Sequence, residues 1–143
     1  MPHTNGSAAP VVPLPDLADM VRSPIGTNGD GIPCLVGSRC TSCGAVYFPR
    51  RTICLECRSS AFREQVLSTR GVLYSWTTVR VSASRPTPYT VGYVDLPEGV
   101  RIFTTLLGGP GSLNCDQPVH LRIGPTHDWA YAPQRDPAVD ARA

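Results

Sequence analysis

Between residues 119 and 123 the chain alternates without a break: Val119, Leu121 and Ile123 on one phase, His120 and Arg122 on the other. A period of two puts the phases on opposite sides of an extended chain, so this run predicts a strand with one buried face. Residues 71–82 are rich in β-branched and aromatic side chains and read as a long strand, and residues 62–68, 89–96 and 101–107 read as three more. Residues 128–131 offer a sixth that closes the sheet. Pro86 and Pro88 interrupt the pattern, Pro97-Glu98-Gly99 marks a tight hairpin, and Gly108-Gly109-Pro110-Gly111 opens a loop. Five or six short strands in about 70 residues suit a small closed barrel of the five-stranded oligonucleotide/oligosaccharide-binding (OB) type. Closure also removes exposed strand edges.

The first half has a different texture. Residues 1–13 are small, polar and proline-bearing, and read as a flexible tail. Leu14, Leu17, Ala18 and Val21 fall on one side of a short N-terminal helix that Pro24 would end. Residues 26–33 read as a glycine-rich loop. Val46-Tyr47-Phe48 is a short strand between two cysteine pairs, and Pro49 and Arg50 turn the chain back. The expected organisation is an N-terminal segment over 1–33, a small metal ribbon over 34–61, a barrel over 62–132 and a disordered tail over 133–143. The fold class is mainly β.

Composition agrees. Fifteen prolines and 13 glycines among 143 residues disfavour long helices, and 41% hydrophobic against 17% charged residues supports a folded core. All 13 basic residues are arginine, which excludes a Schiff-base lysine and the lysine of a phosphate loop. Residues 39–70 hold six arginines against Glu56 and Glu64, whereas four arginines and four acids balance over 71–132. Four thiolates on one divalent cation carry two negative charges, so part of the first excess is local compensation. A nucleic-acid footprint is not visible. The start lacks a basic segment followed by an apolar one, and no stretch approaches the ~18 apolar residues of a membrane span. The chain therefore reads as cytoplasmic, where paired cysteines mean metal more often than disulfide.

The pairs are Cys40-Thr41-Ser42-Cys43 and Cys54-Leu55-Glu56-Cys57, separated by ten residues. A two-residue gap lets one tight turn aim both sulfurs at a single ion, and a short hairpin brings two such turns together. Gly44 follows the first pair, where the chain needs positive φ to leave the turn. Four thiolates suit a closed, structural Zn2+ site; iron in the same cage is the rival, and two disulfides or four reduced core cysteines are the metal-free alternatives. Arg39, Arg50, Arg51 and Arg58 flank the site, either offsetting its charge or lying as ordinary solvated surface. Cys34 and Cys115 fall outside the motif and read as small apolar side chains. Of the histidines, His3 sits in the tail, His120 on the outward phase of a strand and His127 in a loop. No serine-histidine-acid set can be assembled, and no catalytic residue is proposed.

These residues suggest a family. Pro33-Cys34-Leu35-Val36-Gly37-Ser38-Arg39-Cys40, Cys43-Gly44, Phe48-Pro49-Arg50 and the second cysteine pair resemble the rubredoxin-like zinc ribbon of the acyl-CoA-associated OB-fold proteins, the domain of unknown function numbered thirty-five. Gly71-Val72-Leu73-Tyr74-Ser75-Trp76-Thr77, Pro88-Tyr89, the run from Gly92 through Leu96-Pro97-Glu98-Gly99-Val100-Arg101, and Pro118-Val119 continue the likeness, which covers residues 30–125. The resemblance implies a non-catalytic accessory subunit that forms a heteromer with a thiolase-superfamily protein. That partner is a thiolase, a hydroxymethylglutaryl-CoA-forming synthase, an acyltransferase or a lipid-transfer-protein-like aldolase cleaving steroid side chains. Acyl-CoA would be met through the partner, beside its CoA tunnel. The chain departs from the pattern in lacking the Phe-Trp-bearing amphipathic helix over 14–32, and the Ile-Gly that usually precedes the last strand.

Two other readings remain at this level. A ribbon-plus-barrel module binds nucleic acid in other proteins, and Tyr74 with Trp76 could stack bases, but the barrel lacks a positive track. Direct acyl-CoA binding would use arginines on its phosphates. Candidate CoA or partner contacts are Arg50, Arg80, Arg85, Tyr89 and Arg101; Tyr47, Phe48, Tyr74, Trp76, Tyr89 and Trp129 are candidate aromatic anchors.

Overall fold

A computed structural model describes residues 23–134. The helix expected over 14–21 and the tail beyond 134 lie outside the described residues.

The first sheet is built around one long strand, β2 (Pro33–Cys40). Its early residues pair with β1 (Ile25–Thr27), its late ones with β3 (Val46–Tyr47), and residues 36–40 pair antiparallel with β4 (Phe62–Val66). Two expectations are corrected here. Residues 26 and 27, expected to open a loop over 26–33, belong to a strand, because Asn28 folds the chain back: its side-chain oxygen accepts from the amides of Asp30 and Ile32 at 2.9 and 3.0 Å. The strand expected from Phe62 forms, but it joins the ribbon sheet and does not open the barrel.

The barrel consists of β5 (Arg70–Val79), β6 (Tyr89–Asp95), β7 (Arg101–Leu106), β8 (Pro118–Ile123) and β9 (Trp129–Pro133), closed in the order β5-β6-β7-β9-β8. All pairings are antiparallel except β7 with β9, a parallel contact at Leu106 and Tyr131. Pro133 is the last residue of β9, so the structured part runs past the expected start of the tail. Alternation on β7 buries Ile102, Thr104 and Leu106 and leaves Arg101 and Phe103 outside. On β5 a bulge at Tyr74 inserts one residue between Leu73 and Ser75. Leu73 points inward before it, Trp76 packs against the core after it, and Tyr74 is turned out, 50% exposed. Gly92 faces this stretch, where a Cβ would come within 2.3 Å of the Ser75 carbonyl.

One core serves both units. Leu73, Val94, Ile102, Leu106, Val119, Leu121 and Tyr131 fill the barrel, and Leu35 and Leu67 of the ribbon side join the same cluster. Phe48 meets Trp129 edge to face at 5.5 Å between ring centres. Glu98, in the hairpin turn after β6, accepts from both the amide and the hydroxyl of Ser68 at 2.7 Å, which pins the connection between β4 and β5 to the barrel.

Candidate metal centre

Cys40 is the last residue of β2, so ladder hydrogen bonds position the first sulfur. The chain then makes a tight turn in which the Gly44 amide donates to the Cys40 carbonyl at 2.9 Å and the Cys40 amide donates to Ala45 at 2.8 Å. The second turn repeats the pattern: Arg58 donates to Cys54 at 3.0 Å, and the Cys54 amide donates to Ser59 at 2.8 Å. Gly44 has φ 82°, as the turn requires; Arg58 takes the equivalent place with φ 63°. In each pair the first cysteine is buried and the second exposed. A hydroxyl contact between Ser42 and Ser59 at 3.0 Å ties the turns together.

The four sulfurs lie within 4.8 Å of one another, with Cys40–Cys57 and Cys43–Cys54 both at 3.5 Å. Four thiolates about 2.3 Å from one tetrahedral zinc stand about 3.8 Å apart, so the spread fits a single ion. It excludes disulfides, whose sulfurs approach to about 2.05 Å. The Tyr47 hydroxyl lies 3.4 Å from the Cys54 sulfur and accepts from the Leu55 amide at 3.0 Å. This outer contact orients a donor as hydrogen bonds around metal sites do.

The environment already favours thiolate at one sulfur of each pair. The Tyr47 hydroxyl, with further help from the amides of Cys57 and Glu56, pulls Cys54 down to about 6. The Cys43 amide, chiefly, lowers Cys40. Cys43 goes the other way: the Ala45 amide pulls it down, but the Cys54 sulfur and burial outweigh it and push it up to about 12. Cys57 is raised as well, the Cys40 sulfur and burial outweighing the Ser59 amide. Protons and thiolates therefore share the cluster, and a divalent cation displaces the remaining protons.

The flanking arginines are largely engaged. Arg39 donates to Gln65 at 2.8 Å and to the Gly44 carbonyl at 3.1 Å, and Arg51 lies over the Tyr47 ring at 5.3 Å. Arg50 donates to the Ser23 carbonyl at 3.2 Å and pairs with Glu64 at 3.4 Å.

The candidate CoA or partner contacts do not converge. Arg50 belongs to the ribbon. Arg85 stacks on Tyr89 at 4.0 Å at the start of β6, while Arg101 grips Asp95 at the end of that strand, at 2.6 and 3.0 Å. Arg101 also lies over the Tyr74 ring at 3.5 Å, and Arg80 stands exposed just past β5. Cys34 is fully buried, and burial pushes its thiol up; Cys115, read as a small apolar side chain, is exposed. Sequence reasoning missed Tyr93 and Phe103, a cross-strand pair 5.3 Å apart and 44% and 59% exposed. Their shared outward phase with Asp95 and Arg101 was the available signal. It also missed Tyr47 as a sulfur partner, for which the sequence holds no signal.

Comparison with known proteins follows the same division. Residues 33–63 match the ChsH2 rubredoxin-like zinc ribbon domain, and residues 64–124 match the ChsH2 C-terminal OB-fold domain. The chain is 42% identical over 112 residues to benzoylsuccinyl-CoA thiolase subunit BbsA of Thauera aromatica, covering 77% of this chain and 75% of that one. It is 31% identical to a DUF35 domain-containing scaffold protein of Methanothermobacter thermautotrophicus, over 74% of this chain and 77% of the relative. Among solved structures, the Ltp2-ChsH2(DUF35) aldolase matches with a TM-score of 0.60 and 27% identity, over 70% of this chain and 84% of the matched one. The ribbon match spans all four clustered cysteines. With their geometry it makes the metal structural zinc, with no donor position left open for substrate.

Proposed function

The chain belongs to the ChsH2/DUF35 family of zinc-ribbon and OB-fold proteins, and on that premise we propose that it is a non-catalytic subunit of a heteromeric acyl-CoA enzyme. Its partner is a thiolase-superfamily chain (a thiolase, an acyltransferase or a lipid-transfer-protein-like aldolase) that carries the reacting groups. This chain stabilises the partner and helps to shape its acyl-CoA site. The observation that carries the reading is likeness across both units to a named thiolase subunit, over three quarters of that subunit's length.

The structure supports it in two ways. Zinc held by Cys40, Cys43, Cys54 and Cys57 would stiffen the ribbon without offering a reactive position. The outer face of β5, β6 and β7 carries Tyr74, Tyr93 and Phe103 side by side, with Val72 and Leu107 also at least 43% exposed. Exposed aromatic clusters on folded chains mark contact surfaces. Among the described residues no helix is long and apolar enough to cross a membrane.

The test is affinity purification of the tagged, zinc-loaded protein from its native host, with mass spectrometry of what accompanies it. A thiolase-fold chain in stoichiometric amount, active on an acyl-CoA thioester only in the assembled form, is the expected result. Recovery of this protein alone, or with nucleic acid, would overturn the reading.

A further inference from the structure

The barrel's outer surface uses its arginines in two ways. On the β5-β6-β7 side two are spent, Arg101 on Asp95 and Tyr74, and Arg85 on Tyr89 and, at 3.3 Å, the Thr105 hydroxyl, while Arg80 stands alone past the end of β5. On the β5-β8 side none is spent. Arg70 opens β5 directly opposite His120 of β8, and Arg122 lies two residues along β8 on the same face. Cross-strand neighbours stand about 5 Å apart and alternate residues of one strand about 7 Å apart, so three cationic side chains share one short stripe. Arg70 and Arg122 are exposed and His120 half-buried. The other neighbour of β8 adds no acid, since β9 sets Ala132 beside His120 and Ala130 beside Arg122. Among the described residues no carboxylate lies within ion-pair distance of any of the three.

We infer that Arg70, His120 and Arg122 form a binding stripe for a phosphoryl anion, either a phosphate monoester or a diphosphate. Each guanidinium presents a planar fork that matches two phosphate oxygens, and a half-buried imidazole between them supplies a further N–H. Burial, then the charges of Arg122 and Arg70, lower the His120 pKa and so favour the neutral ring in the empty site. A bound dianion reverses the local potential and draws a proton onto the ring. Binding therefore tightens as pH falls through the histidine range, and the His120 titration moves upward when the anion is present. This inference does not depend on the partnership proposed above, because the isolated chain holds all three groups.

The zinc-loaded protein is titrated with inorganic phosphate, CoA, 3′-dephospho-CoA and pantetheine while the ring resonances of His120 are followed across pH, with His127 as internal reference. Phosphate should shift His120 saturably, with a dissociation constant on the order of millimolar, and raise its midpoint. CoA binding at least about tenfold more tightly than phosphate identifies the cofactor as the source of the anion, and equal affinities identify free phosphate. Loss of the gain with dephospho-CoA assigns the 3′-phosphate, and its retention assigns the diphosphate. R70Q and R122Q should each weaken binding about tenfold, while R80Q, equally exposed but off the stripe, should leave it unchanged. A drift of His120 and His127 together that follows ionic strength, no response to phosphate, or an R80Q loss equal to that of R70Q would overturn the inference.

Discussion

Leu73 of the barrel and Cys54 of the ribbon are equally hidden, 0% and 1% exposed, but what surrounds them differs. Leu73 is enclosed by other apolar side chains, and its order comes from removing that surface from water, about 1.5–3 kcal/mol for a side chain of this size. Cys54 is enclosed by a tyrosine hydroxyl, backbone amides and three further sulfurs. Without a cation, that arrangement brings together groups that repel or compete for protons. The barrel thus carries its stabilisation in its own sequence, while the ribbon draws on an ion from solution. Leu35 and Leu67, which join the barrel's cluster, are where the two economies meet.

Removing the ion should have the largest effect. Structural zinc contributes apparent binding free energies of about 10–16 kcal/mol in small zinc-finger peptides, so chelation or Cys54→Ser should unfold the ribbon. Elemental analysis should fall from one zinc per chain to none, and hydrogen exchange should rise over residues 36–66 while the β6 and β7 ladders stay protected. Exchange rising equally in both units would mean that the barrel does not stand without the metal.

Leu73→Ala reverses the experiment. It should cost about 2–5 kcal/mol of barrel stability by denaturant unfolding and leave the zinc content of folded protein at one. A smaller effect belongs to Tyr47→Phe, which removes the hydroxyl from the Cys54 sulfur and the Leu55 amide. Losing such an outer-sphere partner weakens metal binding about 10- to 100-fold, which competition with a chromophoric chelator would measure at unchanged stoichiometry. Smallest is Arg58→Gly. Glycine adopts the left-handed backbone that arginine holds at a cost, so the variant should gain up to about 1 kcal/mol in the metal-loaded state, less the extra entropy of the unfolded chain.

The two units were unequally legible. The two-residue cysteine gaps announced the metal site, and the φ of Gly44 followed from its place after the first pair. Strand β8 was readable because its alternation is strict and one face is buried. Strand β4 was assigned to the wrong sheet for a physical reason. Its partner is β2, where buried residues run consecutively and Gly37 sits mid-strand, so nothing in the period of residues 33–40 proclaims a strand. Glycine is there because a Cβ would come within 2.3 Å of the Tyr47 carbonyl, a constraint visible only once β3 is in place. The bulge at Tyr74 was hidden likewise, since an inserted residue flips the phase without changing composition. Arg101 looked available for a ligand because the hairpin that delivers Asp95 to it is a matter of register.

The barrel's one parallel junction gives the cylinder a seam. Between β7 and β9 the ladder is a single pairing, Leu106 with Tyr131, continued by the Leu107 amide donating to Tyr131 at 2.8 Å. The other four junctions are longer and antiparallel. Parting this seam sacrifices the fewest backbone bonds of any opening, and β9 would remain zipped to β8 by five register pairs. Unrolling, when it occurs, therefore starts opposite β5 and swings β8 and β9 away as one flap, carrying Trp129 and its hold on Phe48 with it.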